Sequence, residues 1–310
     1  MTLPARGRMV AAQAYGAQPA SVRLEEVALP SPGPGEALVA VEAAAITADE
    51  LTWPDRSPFV PAHDVAGRVV ALGGGATGVA LDDRVYGLVG FDRPGAAAAY
   101  VVVPAAHLAP RPSGLGPVRA AAVPLAALTA WQALVEHARV EPGQRVLVHG
   151  GAGGVGHYAV QLAAWRGARV TATASSRDLG FVASLGASEV IDYADRFEER
   201  VAGMDVVVDT VGGDVLARSW SALSPGGLLV GVAAQPDPSD PAAAGRRGLY
   251  FVVEPDGAQL RQIGRLLEEG RLRPTVGRVF GLSDAAAAFA CQRDEHVRGK
   301  IVIEVGSRAG

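Results

Sequence analysis

Gly151-Ala152-Gly153-Gly154-Val155-Gly156 satisfies the spacing GxGxxG. An apolar run, Arg145-Val146-Leu147-Val148-His149, leads into it, and an Ala-rich, helix-patterned stretch follows. A second apolar run begins at Arg169, so strand, loop, helix and strand fall within the roughly 30 residues such a unit spans. Glycines at these positions let the chain turn tightly, bring backbone N–H groups against a pyrophosphate and allow the helix to pack close to the sheet. The helix N-terminus adds positive partial charge for the phosphates. The pattern predicts a dinucleotide site in which Gly151 and Gly156 shape the loop while Gly153, Gly154 and Val155 meet the pyrophosphate.

The end of the second strand decides which dinucleotide fits. A site for NAD places an Asp or Glu there to bind the ribose 2′-hydroxyl. In this chain the strand ends Thr173-Ala174-Ser175-Ser176-Arg177, and the first acid is Asp178. Ser175, Ser176 and Arg177 supply hydroxyls and a planar cation, the groups suited to a 2′-phosphate. NADPH is the expected cofactor. The alternative is a solvated Ser/Arg loop with Asp178 turned inward to bind NAD.

The elements that must position these groups change character along the chain. Short alternating runs at Ser21–Val27, Glu36–Glu42, Gly67–Leu72, Arg84–Leu88 and Tyr100–Val103, broken by clusters such as Pro30-Ser31-Pro32-Gly33-Pro34-Gly35, predict a β barrel or sandwich. From about Val118 helical stretches alternate with compact apolar strands at 145–149, 169–173, 205–209 and 227–232, the rhythm of a parallel sheet covered by helices. A strand near Phe251, a helix over Gln259–Glu269 and a strand over Lys300–Val305 complete the prediction.

Composition limits the function further. With 310 residues, 49% hydrophobic and 19% charged, the chain suits two folded domains. A net charge of −4 removes the electrostatic drive for nonspecific nucleic-acid binding. No run approaches the roughly 20 apolar residues of a membrane helix, and Met1–Val10 lacks the apolar core of a secretion signal. A soluble, cytoplasmic protein is expected. Cys291 is the single cysteine, which excludes intramolecular disulfides and Cys-rich zinc sites, and Lys300 is the single lysine.

Nearly the whole chain resembles the zinc-free branch of the medium-chain dehydrogenases/reductases, the group of quinone oxidoreductase and zeta-crystallin. The similar pieces run in order: Pro32-Gly33-Pro34-Gly35-Glu36, Pro61-Ala62-His63-Asp64-Val65-Ala66-Gly67, Asp82-Asp83-Arg84-Val85-Tyr86-Gly87, Ala126-Ala127-Leu128-Thr129-Ala130, the glycine loop, Asp209-Thr210-Val211-Gly212-Gly213 and Arg298-Gly299-Lys300-Ile301. The resemblance implies an α/β protein: a doubly wound Rossmann sheet over 120–256 and a GroES-like β-barrel catalytic domain from 1–119 and 257–310, with the active site in the cleft. It also implies a homodimer. Departures are specific. Zinc relatives bind metal through two cysteines and a His; here His63-Asp64 holds the His-Glu position, but Thr47 and Ala48 stand where the first Cys belongs. A catalytic zinc needs three protein ligands, so no metal is expected.

The implied activity is hydride transfer from NADPH to a quinone or an α,β-unsaturated carbonyl. Thr47, Trp53, His63 and Thr129 are the catalytic candidates, with Asp49 and Glu50 as further groups that either reach substrate or cap a helix at that turn. Trp53, before Pro54, either stacks on substrate or belongs to the core. Tyr193 is expected beside the 2′-phosphate with Ser175, Ser176 and Arg177. Thr129, Val211, Val232, Phe251 and Val253 are expected around the ribose and nicotinamide. Lys300 is either a group closing over the cofactor or a surface cation. Phe59 stands near the place where enoyl-thioester reductases carry a proton-donating Tyr. Two other functions fit the same pattern: a secondary-metabolism tailoring enzyme (enoyl reductase or cyclase), or an NADPH-binding protein without catalysis.

Overall fold

The computed structural model describes residues 7–53 and 57–306. Met1–Arg6, in which no secretion signal is expected, and Pro54 after Trp53 lie outside the described residues.

The chain forms two compact units, Met1–Leu128 with Glu254–Gly310, and Thr129–Val253. The first segment supplies strands β1 (Arg8–Ala14), β2 (Val22–Ala28), β3 (Glu36–Ile46), β4 (Asp64–Leu72), β5 (Arg84–Leu88), β6 (Tyr100–Pro104) and β7 (Leu108–Pro110), then helix α1 (Pro117–Ala121). Helix α2 (Pro124–Trp131) carries the chain from one unit to the other and continues as a wider π-turn over Gln132–His137.

The second unit then alternates β8 (Arg145–His149), α3 (Gly156–Trp165), β9 (Arg169–Ala174), α4 (Leu179–Ser184), β10 (Glu189–Asp192), β11 (Met204–Asp209), α5 (Gly213–Ser219), β12 (Leu223–Gly231) and β13 (Arg247–Tyr250). Its six strands are all parallel, in the order β10-β9-β8-β11-β12-β13. Numbered within the unit this is 3-2-1-4-5-6, the doubly wound Rossmann order, whose switch point lies between β8 and β11. Leu147, Val207, Leu229 and Trp220 build the core on one face of this sheet.

The chain returns to the first unit through α6 (Gly257–Glu268), β14 (Val276–Gly281), α7 (Ala285–Asp294) and β15 (Lys300–Glu304). These close a seven-stranded sheet ordered β14-β15-β3-β4-β5-β7, with β6 also pairing β3. Its core is unusually Ala- and Val-rich, with Ala44, Val65, Val69, Phe289, Ile301 and Ile303 inside. The expected α/β class holds, with a Rossmann sheet and a GroES-like barrel.

The strand expected near Phe251 is β13, which ends at Tyr250. One local reading needs correction. Asp49 and Glu50 do not cap a helix: the turn Glu50–Thr52 is a single 3-10 turn, and the Asp49 side chain makes no capping bond. No helix among the described residues is long and apolar enough to cross a membrane.

Candidate active site

In the second unit the glycine loop joins β8 to α3 at the switch point. Gly150 sits at φ 70°, the left-handed region a side chain disfavours. A Cβ on Gly156 would come 2.0 Å from the Gly150 carbonyl oxygen, so this helix start requires glycine. Gly151 N–H donates to the Thr173 carbonyl (2.8 Å), Gly153 N–H to the Gly150 carbonyl (2.9 Å) and His157 N–H to the Gly153 carbonyl (3.2 Å). These bonds use neither Gly154 N–H nor Val155 N–H. The loop and the ten-residue helix α3 behind it thus fit a dinucleotide diphosphate.

A buried side-chain network braces that loop, and the sequence did not single it out. His149 ends β8 fully buried, with Nδ1 3.1 Å from Thr173 Oγ1, which also accepts Gly150 N–H at 3.3 Å. Burial, then the Arg218 charge, pushes the imidazole down to about 3, so the ring is neutral at physiological pH. On the neighbouring strand Asp209 Oδ1 accepts from Val211 N–H (3.0 Å) and Gly212 N–H (2.6 Å), fixing the turn after β11. The visible signal was a lone histidine ending an apolar strand.

The end of β9 separates the four residues considered for cofactor choice. Asp178 is buried, and its carboxylate accepts from Ser175 Oγ at 2.8 Å. The Ser175 hydroxyl thus donates within the protein in this structure. Ser176 is exposed, and the Arg177 side chain is 60% exposed with Nε 3.7 Å from Asp178 Oδ2. Tyr193 is also exposed, and its N–H donates to the Ala174 carbonyl (2.9 Å), which brings it to the same strand end. Val211 is exposed beyond β11, and Val232 N–H donates to the Asp209 carbonyl at 2.9 Å. Thr129 is buried in α2. Phe251 packs on His137, ring centroids 4.6 Å apart, and Val253 is buried.

The first unit gathers Thr47, Glu50, Trp53, His63, Asp64 and Lys300. Lys300 is not a surface cation: its side chain is 4% exposed, and Nζ lies 3.0 Å from Asp64 Oδ2 and 2.8 Å from Thr47 Oγ1. Asp64 Oδ1 accepts Leu125 N–H at 2.5 Å. Glu50, also buried, accepts Thr47 N–H at Oε2 (2.9 Å) and Ala62 N–H at Oε1 (2.5 Å). The second bond holds Ala62 at φ 68°, an uncommon conformation for a residue with a Cβ. His63 Nε2 is 4.0 Å from Glu50 Oε1, and its Nδ1 is 3.2 Å from the Val89 carbonyl. Trp53, at 40% exposure, is not a core residue. Its ring meets Phe91 edge-on at 5.4 Å, and Phe91 meets His63 at 5.1 Å. Phe91, which no local pattern singles out, reaches this cluster through the β5–β6 connection.

Burial pushes the Glu50 carboxyl up to about 7, against the pull of Thr47 N–H and the Lys300 charge. From about 4.5, the ordinary value, to about 7 the unfolded chain releases this proton while the folded chain keeps it. Folding is therefore progressively disfavoured as pH rises through that window, and the penalty is constant above it. In urea titrations across this range, Glu50→Gln should gain stability relative to wild type as pH rises. Parallel pH profiles would contradict the assignment.

Two family profiles match the chain: the alcohol dehydrogenase GroES-like domain over residues 33–113 and a zinc-binding dehydrogenase domain over 185–303. A chloroplastic quinone oxidoreductase from Triphysaria versicolor is 32% identical over 96% of this chain and 98% of its own. The chain belongs to the medium-chain dehydrogenase/reductase superfamily, with the quinone oxidoreductases. The solved quinone oxidoreductase of Coxiella burnetii superposes with a TM-score of 0.91 at 32% identity, covering 96% of this chain and all of that one. A mycobacterial protein, Rv1454c, solved in complex with NADPH, superposes with a TM-score of 0.85 at 27% identity, covering 96% and 99%. As a member of this superfamily the chain is an oxidoreductase, and the superfamily's Rossmann fold binds a nicotinamide cofactor. Among the described residues no group of three His, Cys, Asp or Glu side chains is placed to hold a metal ion.

Proposed function

We propose that this oxidoreductase is an NADPH-dependent, zinc-independent reductase of quinones or α,β-unsaturated carbonyls. One observation carries the cofactor choice: the Asp178 carboxylate, which the NAD alternative needs for a ribose hydroxyl, is buried and accepts from Ser175, while Ser176 and Arg177 are exposed beside Tyr193. A carboxylate turned outward there would repel a 2′-phosphate; an exposed guanidinium attracts one. Gly153, Gly154 and Val155 would hold the diphosphate, and Val211, Val232, Phe251 and Val253 would line the ribose and nicotinamide. When bound, the cofactor supplies hydride.

Zinc independence is supported by charge as well as by ligand count. A buried ammonium joins Thr47 and Asp64, next in sequence to His63, and would repel a divalent cation. Trp53 and Phe91 offer aromatic surface to a flat, conjugated acceptor.

Mixing the protein with 1,4-naphthoquinone or 3-penten-2-one and NADPH should remove the reduced-nicotinamide absorption band, and NADH should serve less well. Arg177→Ala should weaken NADPH binding roughly ten- to a hundredfold, the value of one charge-assisted hydrogen bond, and leave NADH binding nearly unchanged. Equal losses for both nucleotides would refute the 2′-phosphate site.

A further inference from the structure

The single lysine of the chain is an unusual choice for an interior position. Lys side chains are almost never fully buried unless paired, and here the pairing is divided between an acid and a hydroxyl. That division has a directional consequence. An ammonium carries donors and no acceptor. In the 2.8 Å contact Lys300 Nζ must donate and Thr47 Oγ1 must accept. The Thr47 hydroxyl hydrogen then has to leave in another direction, and among the described residues no acceptor takes it. Thr47 itself is partly exposed, which leaves room for an acceptor from outside the protein.

The hydroxyl is also fixed in place. Thr47 N–H is held by Glu50 Oε2, and the same carboxylate holds Ala62 N–H, one residue before His63. The ammonium is anchored by Asp64, which is tied to α2 through Leu125 N–H. An oriented O–H whose oxygen is polarised by a buried cation is a stronger hydrogen-bond donor than a solvated hydroxyl.

We propose that Lys300, held by Asp64, orients and polarises the Thr47 hydroxyl so that Thr47 stabilises the negative charge developing on the oxygen of a quinone or enone during reduction. This rests on the reductase reading above. Thr47 is the catalytic residue; Lys300 and Asp64 are positioning residues. In the step assisted, a C–H bond forms at a substrate carbon from hydride supplied by the reduced nicotinamide. The substrate π electrons move onto the carbonyl oxygen, and the Thr47 O–H bonds to that oxygen without breaking. Water supplies the proton that completes the reduction.

The lone lysine makes the geometry directly observable. Protein labelled with 15N at lysine Nζ should show one side-chain ammonium resonance, in slow exchange with water. Thr47→Val should shift it and Thr47→Ser should restore it; a rapidly exchanging signal, or one indifferent to Thr47→Val, would overturn the Lys300–Thr47 contact. In single-turnover reactions with 1,4-naphthoquinone or 3-penten-2-one, Thr47→Val should slow NADPH oxidation on the order of a hundredfold, the usual loss for one such donor. The NADPH dissociation constant should stay within about twofold, since only the developing charge is addressed, and Thr47→Ser should recover most of the rate. In Lys300→Met/Asp64→Leu, the loss from Thr47→Val should shrink to a few fold, because the polarising charge is gone.

Full activity of Thr47→Val alongside an active wild type would overturn this inference and leave the reductase reading standing. A wild type that binds NADPH but reduces neither probe would overturn both.

Discussion

Replacing Lys300 with Met is expected to destabilise the barrel unit by about 3–5 kcal/mol, the usual result of removing one partner of a buried ion pair. Asp64 is wholly buried, and burial already pushes its carboxyl upward while Lys300 opposes that shift. Without the ammonium the buried carboxylate keeps the Leu125 N–H as donor but loses its counter-charge, with the Glu50 carboxyl nearby. The Lys300→Met/Asp64→Leu variant removes both charges and should regain most of the loss, because two hydrophobic side chains can replace a buried pair at little net cost. Urea denaturation followed by tryptophan fluorescence separates the cases. A Lys300→Met variant within about 0.5 kcal/mol of wild type, the size of an ordinary surface substitution, would show that the pair is not buried as described.

Gly156→Ala is expected to lower the affinity for both reduced nicotinamide nucleotides together, by a hundredfold or more. The new Cβ would lie 2.0 Å from the Gly150 carbonyl oxygen, 2.7 Å from its carbon and 3.1 Å from Gly151 Cα. These are backbone atoms that cannot rotate away, so the loop and the start of α3 must separate. Overpacking of this kind costs roughly 1–3 kcal/mol in stability, and the displaced N–H groups lose their aim at the diphosphate. Fluorescence titration with NADPH and NADH distinguishes this from Arg177→Ala: the loop variant loses both ligands, the arginine variant one. Unchanged affinity in Gly156→Ala would place the diphosphate elsewhere.

Much of this arrangement was legible in the residues because local rules enforce it. The glycine loop is readable since a tight turn and a close helix approach admit few other side chains, and Gly156 illustrates the point. The apolar runs at 145–149 and 84–88 match β8 and β5 residue for residue. Strand β1, Arg8–Ala14, is faint in the sequence because its buried positions are alanines, which carry little strand signal. Helix α7 is hard to read for a related reason: Ala285–Asp294 has no strong apolar stripe.

At the candidate site the legible part was the kind of residue, and the illegible part was its partner. Lys300 and Thr47 are 253 positions apart in sequence, and β15 lies beside β3 only because the sheet is completed from both ends of the chain. Nothing local announces such a meeting, nor that Phe91 packs on His63. Ser175 shows the converse case. Its type suits a phosphate, but Asp178, three residues on, claims its hydroxyl.

On the reading proposed above, the end of β9 accepts an adenosine 2′-phosphate. Titration calorimetry of the wild-type protein with NADPH and then with NADH tests it most directly. Saturable binding of NADPH, roughly ten- to a hundredfold tighter than NADH, is the result this account predicts. Equal or tighter binding of NADH, or no heat with either nucleotide, would contradict it.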